Sequence, residues 1–419
     1  MKNLHRRSAA LSLPALSLLF SLFSFAGVAR AFEAIDTLPW PSDGAFPAYP
    51  REPGRPTDFW IQAGARREDN ALRTETAEQA DTIMRVGAGI RHEARVVGRQ
   101  RVRLDARGDY YKYDRFSGLD HFAYALAGNW LWELGNQLSG TVLVGHDRRQ
   151  ADMGETRVER LDFVKTTRAA ATAGYLVTPA LRVRGGLAAT RSDRSRVRET
   201  ETRALSTTLG ADYVSPLGNA VGVEFRSTQG EAPFSELVTG LGTVSNDYQE
   251  RELSLVATYA LGTQLRTGLR LGRTSREYDQ IPGRDFDGTT GRASIDWLPG
   301  NKTILGFEAY REPRSIIDVA ASHALVKGAA FGPRWAVTNK VVLSARLVRE
   351  RRSYEGDPAL TAGATLRDEV AHLWRFALGW EPQRFWQVGL ALERGERESN
   401  LADRDYQYTA VMGNLAYSW

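Results

Sequence analysis

From Thr57 onward the chain alternates apolar and polar residues with a period of two, and almost nothing in it has helical period. In 101–111, Val102, Leu104 and Ala106 interleave with Arg101, Arg103, Asp105 and Arg107. In 264–273, Leu265, Thr267, Leu269 and Leu271 interleave with Arg266, Gly268, Arg270 and Gly272. Val341, Leu343, Ala345 and Leu347 oppose Ser344, Arg346 and Glu350; Trp374, Phe376, Leu378 and Trp380 oppose Arg375, Ala377 and Gly379. Successive strand side chains point to opposite faces, so each run predicts a strand with one apolar and one polar wall. About 18 such runs occur, starting near residues 58, 82, 100, 121, 137, 163, 180, 203, 219, 249, 263, 289, 302, 322, 340, 369, 384 and 405.

The connections sort by length. Short turns recur at Gly135-Asn136, Thr178-Pro179, Ser215-Pro216-Leu217-Gly218, Leu261-Gly262, Leu298-Pro299-Gly300-Asn301, Thr338-Asn339 and Glu381-Pro382-Gln383. The alternate connections are longer and polar: Arg67–Ala80, Arg149–Glu159, Arg191–Thr200, Gly230–Asn246, Arg276–Asp287 and Ser353–Arg367. A soluble sandwich has no reason to sort its loops this way. The pattern predicts an all-β fold, a transmembrane antiparallel β-barrel of 16–18 strands with short periplasmic turns and long extracellular loops, in the bacterial outer membrane.

In hydrocarbon every backbone donor and acceptor must be satisfied internally, which strands achieve only by closing into a ring. An Arg or Lys on the lipid face at mid-membrane costs roughly 2–4 kcal/mol. The 55 basic residues, six of them Lys, are therefore expected mainly in the lumen or the loops. Inward parity selects Arg101, Arg103, Asp105, Arg107, Arg182, Arg184, Glu224, Arg226, Arg266, Arg270, Arg346 and Arg375 as lumen candidates, with Asp109, Asp296, Glu308 and Glu393. Such a ring either cross-pairs and stiffens the wall or biases passage towards anions. Leu269→Arg should then impair assembly while Arg270→Leu is tolerated. Tyr124, Trp130, Trp132, Tyr259, Trp297, Trp374, Trp380, Trp386, Tyr417 and Trp419 suit interfacial girdles. Outer-membrane lipid and lipopolysaccharide are the partners such a wall implies.

The first residues read as an address. Lys2, Arg6 and Arg7 precede the apolar run Ala9–Phe25, and Ala29-Arg30-Ala31 supplies a small-x-small cleavage site. Residues 1–31 are thus expected to be a secretory signal peptide, 32–56 a Pro-rich periplasmic segment carrying six of the 16 prolines, and 57–419 the barrel. Removing Lys2, Arg6, Arg7 and Arg30 lowers the formal charge from +5 to +1, so the basic balance gives no support to nucleic-acid binding. Later residues contain no apolar run of about 18. The mean hydropathy of −0.38 is what cancelling inner and outer faces produce. Val411, Gly413, Leu415, Tyr417 and Trp419 fall on alternate positions and end in an aromatic, which resembles the signal read by the barrel-assembly machinery.

Catalytic chemistry finds little footing. There is no cysteine, hence no disulfide or thiolate metal site. His92, His121, His146, His323 and His372 lack ligand spacing, so no metal or cofactor is expected. Ser139 and His146 share a strand but differ in parity, which argues against a hydrolase dyad and for a protein that is not an enzyme. Gly87-Ala88-Gly89 and Gly185-Gly186 sit inside strands with no helix following, and read as sites of curvature or close packing.

Three early segments carry a resemblance. They are Asp69-Asn70-Ala71-Leu72-Arg73 before Asp81–Gly89, then Tyr113-Asp114-Arg115-Phe116-Ser117-Gly118-Leu119-Asp120, then Trp132–Gly140. Together, over roughly residues 60–145, they resemble the outer-membrane proteins of exopolysaccharide-biosynthesis operons, the EpsL type of a β-barrel porin superfamily. The resemblance implies a role in exporting or assembling a secreted polysaccharide, with exopolysaccharide and periplasmic export proteins as partners. Two other roles are open: a general diffusion porin, and a plugged structural barrel that docks export components through 32–56. Read from the residues alone, Asp114 and Asp120 are placed to accept turn N–H groups, with Arg115 beside them, or to meet sugar directly.

Overall fold

The computed structural model describes residues 55–419 except 158, 197–200, 234–235, 239–241, 281, 316–322 and 356–364. Ala29, Ala31 and the expected leader, with nearly all of 32–56, lie outside the described residues. Eighteen antiparallel strands form one closed sheet. They are β1 (Thr57–Glu68), β2 (Asp81–Arg95), β3 (Arg101–Tyr113), β4 (His121–Leu134), β5 (Leu138–Gln150), β6 (Phe163–Thr178), β7 (Leu181–Arg194), β8 (Thr202–Val214) and β9 (Ala220–Glu231). After a two-stranded ribbon, β10 (Glu236–Val238) and β11 (Gly242–Val244), come β12 (Tyr248–Leu261), β13 (Leu265–Tyr278), β14 (Phe286–Gly300), β15 (Thr303–Ser315) and β16 (His323–Ala336). β17 (Val341–Glu355), β18 (Asp368–Trp380), β19 (Trp386–Ser399) and β20 (Tyr406–Ser418) complete the ring. Every barrel strand begins within about three residues of its expected start, the tolerance of pattern reading. The ribbon in the β9–β12 loop was not foreseen.

Closure is made by β1 against β20, from Trp60 opposite Ser418 to Glu68 opposite Ala410. At the short-turn end Phe59 N–H donates to the Trp419 carbonyl at 3.0 Å, and Trp419 N–H returns a bond to Phe59 at 2.9 Å. No edge is left exposed to lipid.

The two walls invert the arrangement of a water-soluble protein. Leu269, Leu271, Leu390 and Leu392 stand exposed on the outside, while Glu350, Glu369, Glu393 and Arg397 are buried inside. A continuous apolar belt of this extent is tolerable only against lipid. The chain is an outer-membrane β-barrel. All ten aromatics expected in the girdles lie on outward parity, and Trp386, Tyr417, Trp419 and Phe59 pack in sequence around the seam with centroids 4.9–5.9 Å apart.

Strands run 12–16 residues, longer than the roughly 9–11 that cross hydrocarbon. The surplus lies at the long-loop end, where the outer face turns polar. On β13 the outward series is Leu265, Thr267, Leu269, Leu271, then Arg273, Ser275, Glu277. On β19 it is Trp386, Val388, Leu390, Leu392, then Arg394, Glu396, Glu398. Not all basic side chains therefore sit in lumen or loops: a set of them faces outward above the lipid belt.

Glycine in the wall has a packing cause where the inner face is crowded. A Cβ on Gly89 would sit 2.2 Å from the Trp60 ring, which is buried against that bare backbone.

The faces predict unequal responses to charge. Leu269→Arg puts a cation on the lipid belt and should cost about 2–4 kcal/mol, read as loss of the heat-modifiable folded band on electrophoresis. Arg270 proves to be embedded in ion pairs, so Arg346→Leu is the cleaner inner-wall control and should leave the folded band intact. Equal behaviour of Leu269→Arg and Arg346→Leu would reverse the assigned faces.

Candidate functional site

Residues two apart on a strand share a face, so each strand offers the lumen pairs of side chains, and those of adjoining strands interlock. On one side of the barrel Asp212 accepts Arg182 at 2.8 Å and Arg184 at 2.9 Å. Glu224, buried, takes Arg184 and Arg270, with Arg226 at 3.5 Å. Glu252 holds Arg270 at 2.8 Å and Arg226 at 3.4 Å. The ladder continues as Arg292 pairs Glu308 and, at 3.1 Å, Glu312. Arg314 then joins Glu312 at 3.0 Å to Glu350 at 3.1 Å, and Tyr310 Oη donates to Glu350 at 2.6 Å. Removing one member of such a buried set leaves its partner's charge uncompensated.

This ladder borders a cavity of about 550 Å³ on the β7–β17 side, lined by Arg182, Arg184, Asp212, Glu224, Arg270 and Arg346 among others. Arg346 makes no salt bridge among the described residues, and nor do Arg101 and Arg266. Arg334, opposite Ser344 on the same inward parity, is a further cation of this kind.

The remaining lumen candidates belong to other stretches of wall. Asp105 bridges Arg91 at 2.5 Å and Arg103 at 2.7 Å. Asp109 takes Arg85 at 2.7 Å, the Gln62 amide at 2.8 Å and Arg107 at 3.9 Å. Arg375 meets Glu393 at 2.5 Å, and Arg66 reaches the same carboxylate at 3.1 Å. The twelve candidates thus share the inner wall without converging on one point. Val411, Gly413, Leu415 and Tyr417 face outward on β20, and Trp419, just past its end, stacks on Tyr417.

Three loops fold over the remaining part of the lumen: L1 (residues 69–80), L2 (114–120) and L3 (151–162). Ala71 of L1 and Phe116 and Leu119 of L2 pack with Ile83, Tyr111 and Tyr113 of the inner wall, and Met153 of L3 rests on this cluster. The carboxylates of the resembling motifs serve this scaffold. Asp81 accepts the Arg115 and Phe116 N–H groups at 2.9 and 3.1 Å, and Asp120 accepts Tyr113 N–H at 2.7 Å. Asp114, expected to cap the turn, instead donates its own N–H to Thr82 at 3.0 Å. Asn70 holds L1 by accepting Thr74 N–H at 3.0 Å and donating to the Gln407 carbonyl at 2.9 Å.

L3 leaves the wall between β5 and β6 and lands on the opposite side. Asp152 caps a one-turn helix, Met153–Thr156, by accepting Gly154 N–H at 3.1 Å. Glu155 on that turn meets Arg397 of β19 at 2.9 Å, Arg367 at 3.2 Å and Arg404 at 3.7 Å. Arg157 adds a bond to the Arg404 carbonyl at 2.6 Å. Burial alone would raise the Glu155 carboxyl; Arg397 and Arg367 overcome it and hold the group well below the usual carboxylate range. Sequence reasoning missed Glu155 because nothing in a loop's composition states which distant strands it will meet. Arg292, Arg314 and Arg397 were visible by parity; their strands continue past the point where the outer face stops being apolar.

No family model matches the chain, and no curated protein does. Among solved structures it is similar to OccK2 (OpdF) of Pseudomonas aeruginosa, at 11% identity over 86% of this chain and 98% of that one, with a TM-score of 0.49. It is similar also to the outer membrane protein opdK of Pseudomonas aeruginosa, at 11% identity over 87% and 99% with a TM-score of 0.48. OccAB3 of Acinetobacter baumannii gives 11% identity over 87% and 98% with a TM-score of 0.45. The architecture stated above rests on the strand register of this chain.

The L3 latch carries a pH prediction. A depressed carboxyl contributes stability above its unfolded value, about 4.3, and loses it only as pH falls through its lower folded value. L3 should therefore remain latched from neutral pH down to about 4. Amide exchange in 150–162, corrected for intrinsic rates, should show equal protection across that range. Glu155→Gln should raise exchange roughly tenfold or more at neutral pH, for a charged bond of about 1.5–3 kcal/mol. Opening of the native loop already at pH 6 would contradict the assignment.

Proposed function

We propose that the barrel is a diffusion porin for small hydrophilic solutes, biased towards anions. The observation that carries this reading is the 550 Å³ cavity beside the Arg–carboxylate ladder, left clear by L1, L2 and L3 on the other side. The closed ring is of the size at which strand number leaves an aqueous path. The ladder's carboxylates are each held by arginine, whereas Arg334 and Arg346 make no salt bridge among the described residues; Arg266 stands opposite the inward Asp296. A solute passing them meets net positive potential.

The finer tie, to exopolysaccharide export, rests on residues 60–145. Asn70, Asp81 and Asp120 of that stretch are engaged in holding L1 and L2, which accounts for them without a sugar. The geometry therefore favours the general porin over polysaccharide-specific export. A docking role for 32–56 lies outside the described residues.

Planar-bilayer recording tests the proposal. The purified barrel should give ohmic steps, with a reversal potential under a salt gradient that marks anion preference. Arg266→Glu with Arg346→Glu should move that potential towards cations. Absence of steps from folded protein would sink the porin reading. Loss of secreted polysaccharide on deletion, with small-solute uptake unchanged, would favour export instead.

A further inference from the structure

The outer wall carries a feature that solute passage does not use. On β15, β16 and β17, Arg311 stands directly opposite Lys327, and Lys327 directly opposite Arg351. Arg349, next along β17 on the same face, lies opposite Ala329 on one side and His372 of β18 on the other. Like charges placed directly across a strand pair repel. Little on the protein relieves them. Arg351 pairs Asp368 at 3.0 Å, Arg311 donates to the Thr289 carbonyl, and Glu355 lies near Arg311 and Lys327. Lys327 and Arg349 are within salt-bridge distance of no acid among the described residues. A further acid on this face is Glu396, across His372.

Directly below, towards mid-membrane, lies an outward groove of about 470 Å³. Its floor is alanine, at Ala293, Ala309 and Ala329, and its walls are Phe307, Phe331, Leu347 and Trp374. Phe307 stacks on Phe331 at 4.8 Å, and Trp374 stacks on His372 at 5.6 Å, so both walls are braced. Arg349 and His372 form its upper rim. Small residues between large ones make a slot in an otherwise convex belt.

We propose that this face of β14–β18 is a binding site for a phosphorylated, multiply acylated glycolipid of the outer leaflet, of the lipopolysaccharide class. The phosphate sits among Arg311, Lys327, Arg349 and Arg351, and one acyl chain fills the alanine-floored groove beneath. Charge and position argue for this occupant together. The cations face outward at the height where the apolar belt ends, and a second protein would have to approach through lipid to reach them. A free anion would satisfy the cations and leave the groove unexplained; a neutral lipid would do the reverse.

The test uses native mass spectrometry of the folded, full-length barrel released from detergent with added lipid A. The native protein should retain one lipid A. It should retain neither dephosphorylated lipid A nor inorganic phosphate to a comparable extent. Lys327→Gln with Arg349→Gln should cut retention at least tenfold, and Ala329→Trp, which fills the groove with another apolar group, should do the same. Lys112→Gln with Lys165→Gln, two outward lysines elsewhere on the ring, should match the native protein. Folding of each variant is checked by heat modifiability, and the single substitutions stand in if the double one fails to assemble. Native-like retention by Lys327→Gln with Arg349→Gln or by Ala329→Trp, or equal retention of dephosphorylated lipid, would overturn the proposal.

Discussion

Backbone hydrogen bonding is the constraint from which the rest of this molecule follows. In hydrocarbon an unpaired N–H or C=O costs several kcal/mol, so a sheet that enters the membrane must have no edges. The seam between β1 and β20 removes the last two. Once the ring is closed, side-chain parity has only two destinations, lipid and lumen, and each residue's chemistry is set by which it reaches. A barrel wall can thus carry charge at every second position and still be compatible with a membrane.

The lumen charges obey a second constraint. Carboxylates in a confined space are held by guanidinium groups from neighbouring strands, as Glu224 is by Arg184, Arg226 and Arg270. Arginine suits this place better than lysine, because its planar fork serves two acceptors at once. Where pairing is incomplete, at Arg334 and Arg346, fixed charge remains to act on whatever passes. Wall stiffness and solute preference thereby come from one set of residues.

The barrel was legible in the sequence because its signal is strictly local. Alternation along Leu265–Arg273 or Trp374–Trp380 needs no knowledge of partners, and the sorting of short turns from long loops supplied the membrane topology. Inward parity likewise placed Arg182, Arg270 and Arg375. What stayed hidden depends on contacts distant in sequence. Glu155 is joined to Arg397 across more than half the chain, and the row Arg311, Lys327, Arg351 emerges only when three strands are set in register. The early motifs depend on such contacts too: Asp81 and Asp120 accept backbone N–H groups where L2 meets the inner wall.

L3 adds a mechanical consequence. A hoop of strands alone flattens easily under sideways load, since bending is shared among many hinges. A spoke fixed at Asp162 to Arg194 on one rim, and at Glu155 to Arg367 and Arg397 on the far rim, resists that flattening along its own line. Two stretches of wall that share no backbone hydrogen bonds are thereby tied together through the interior.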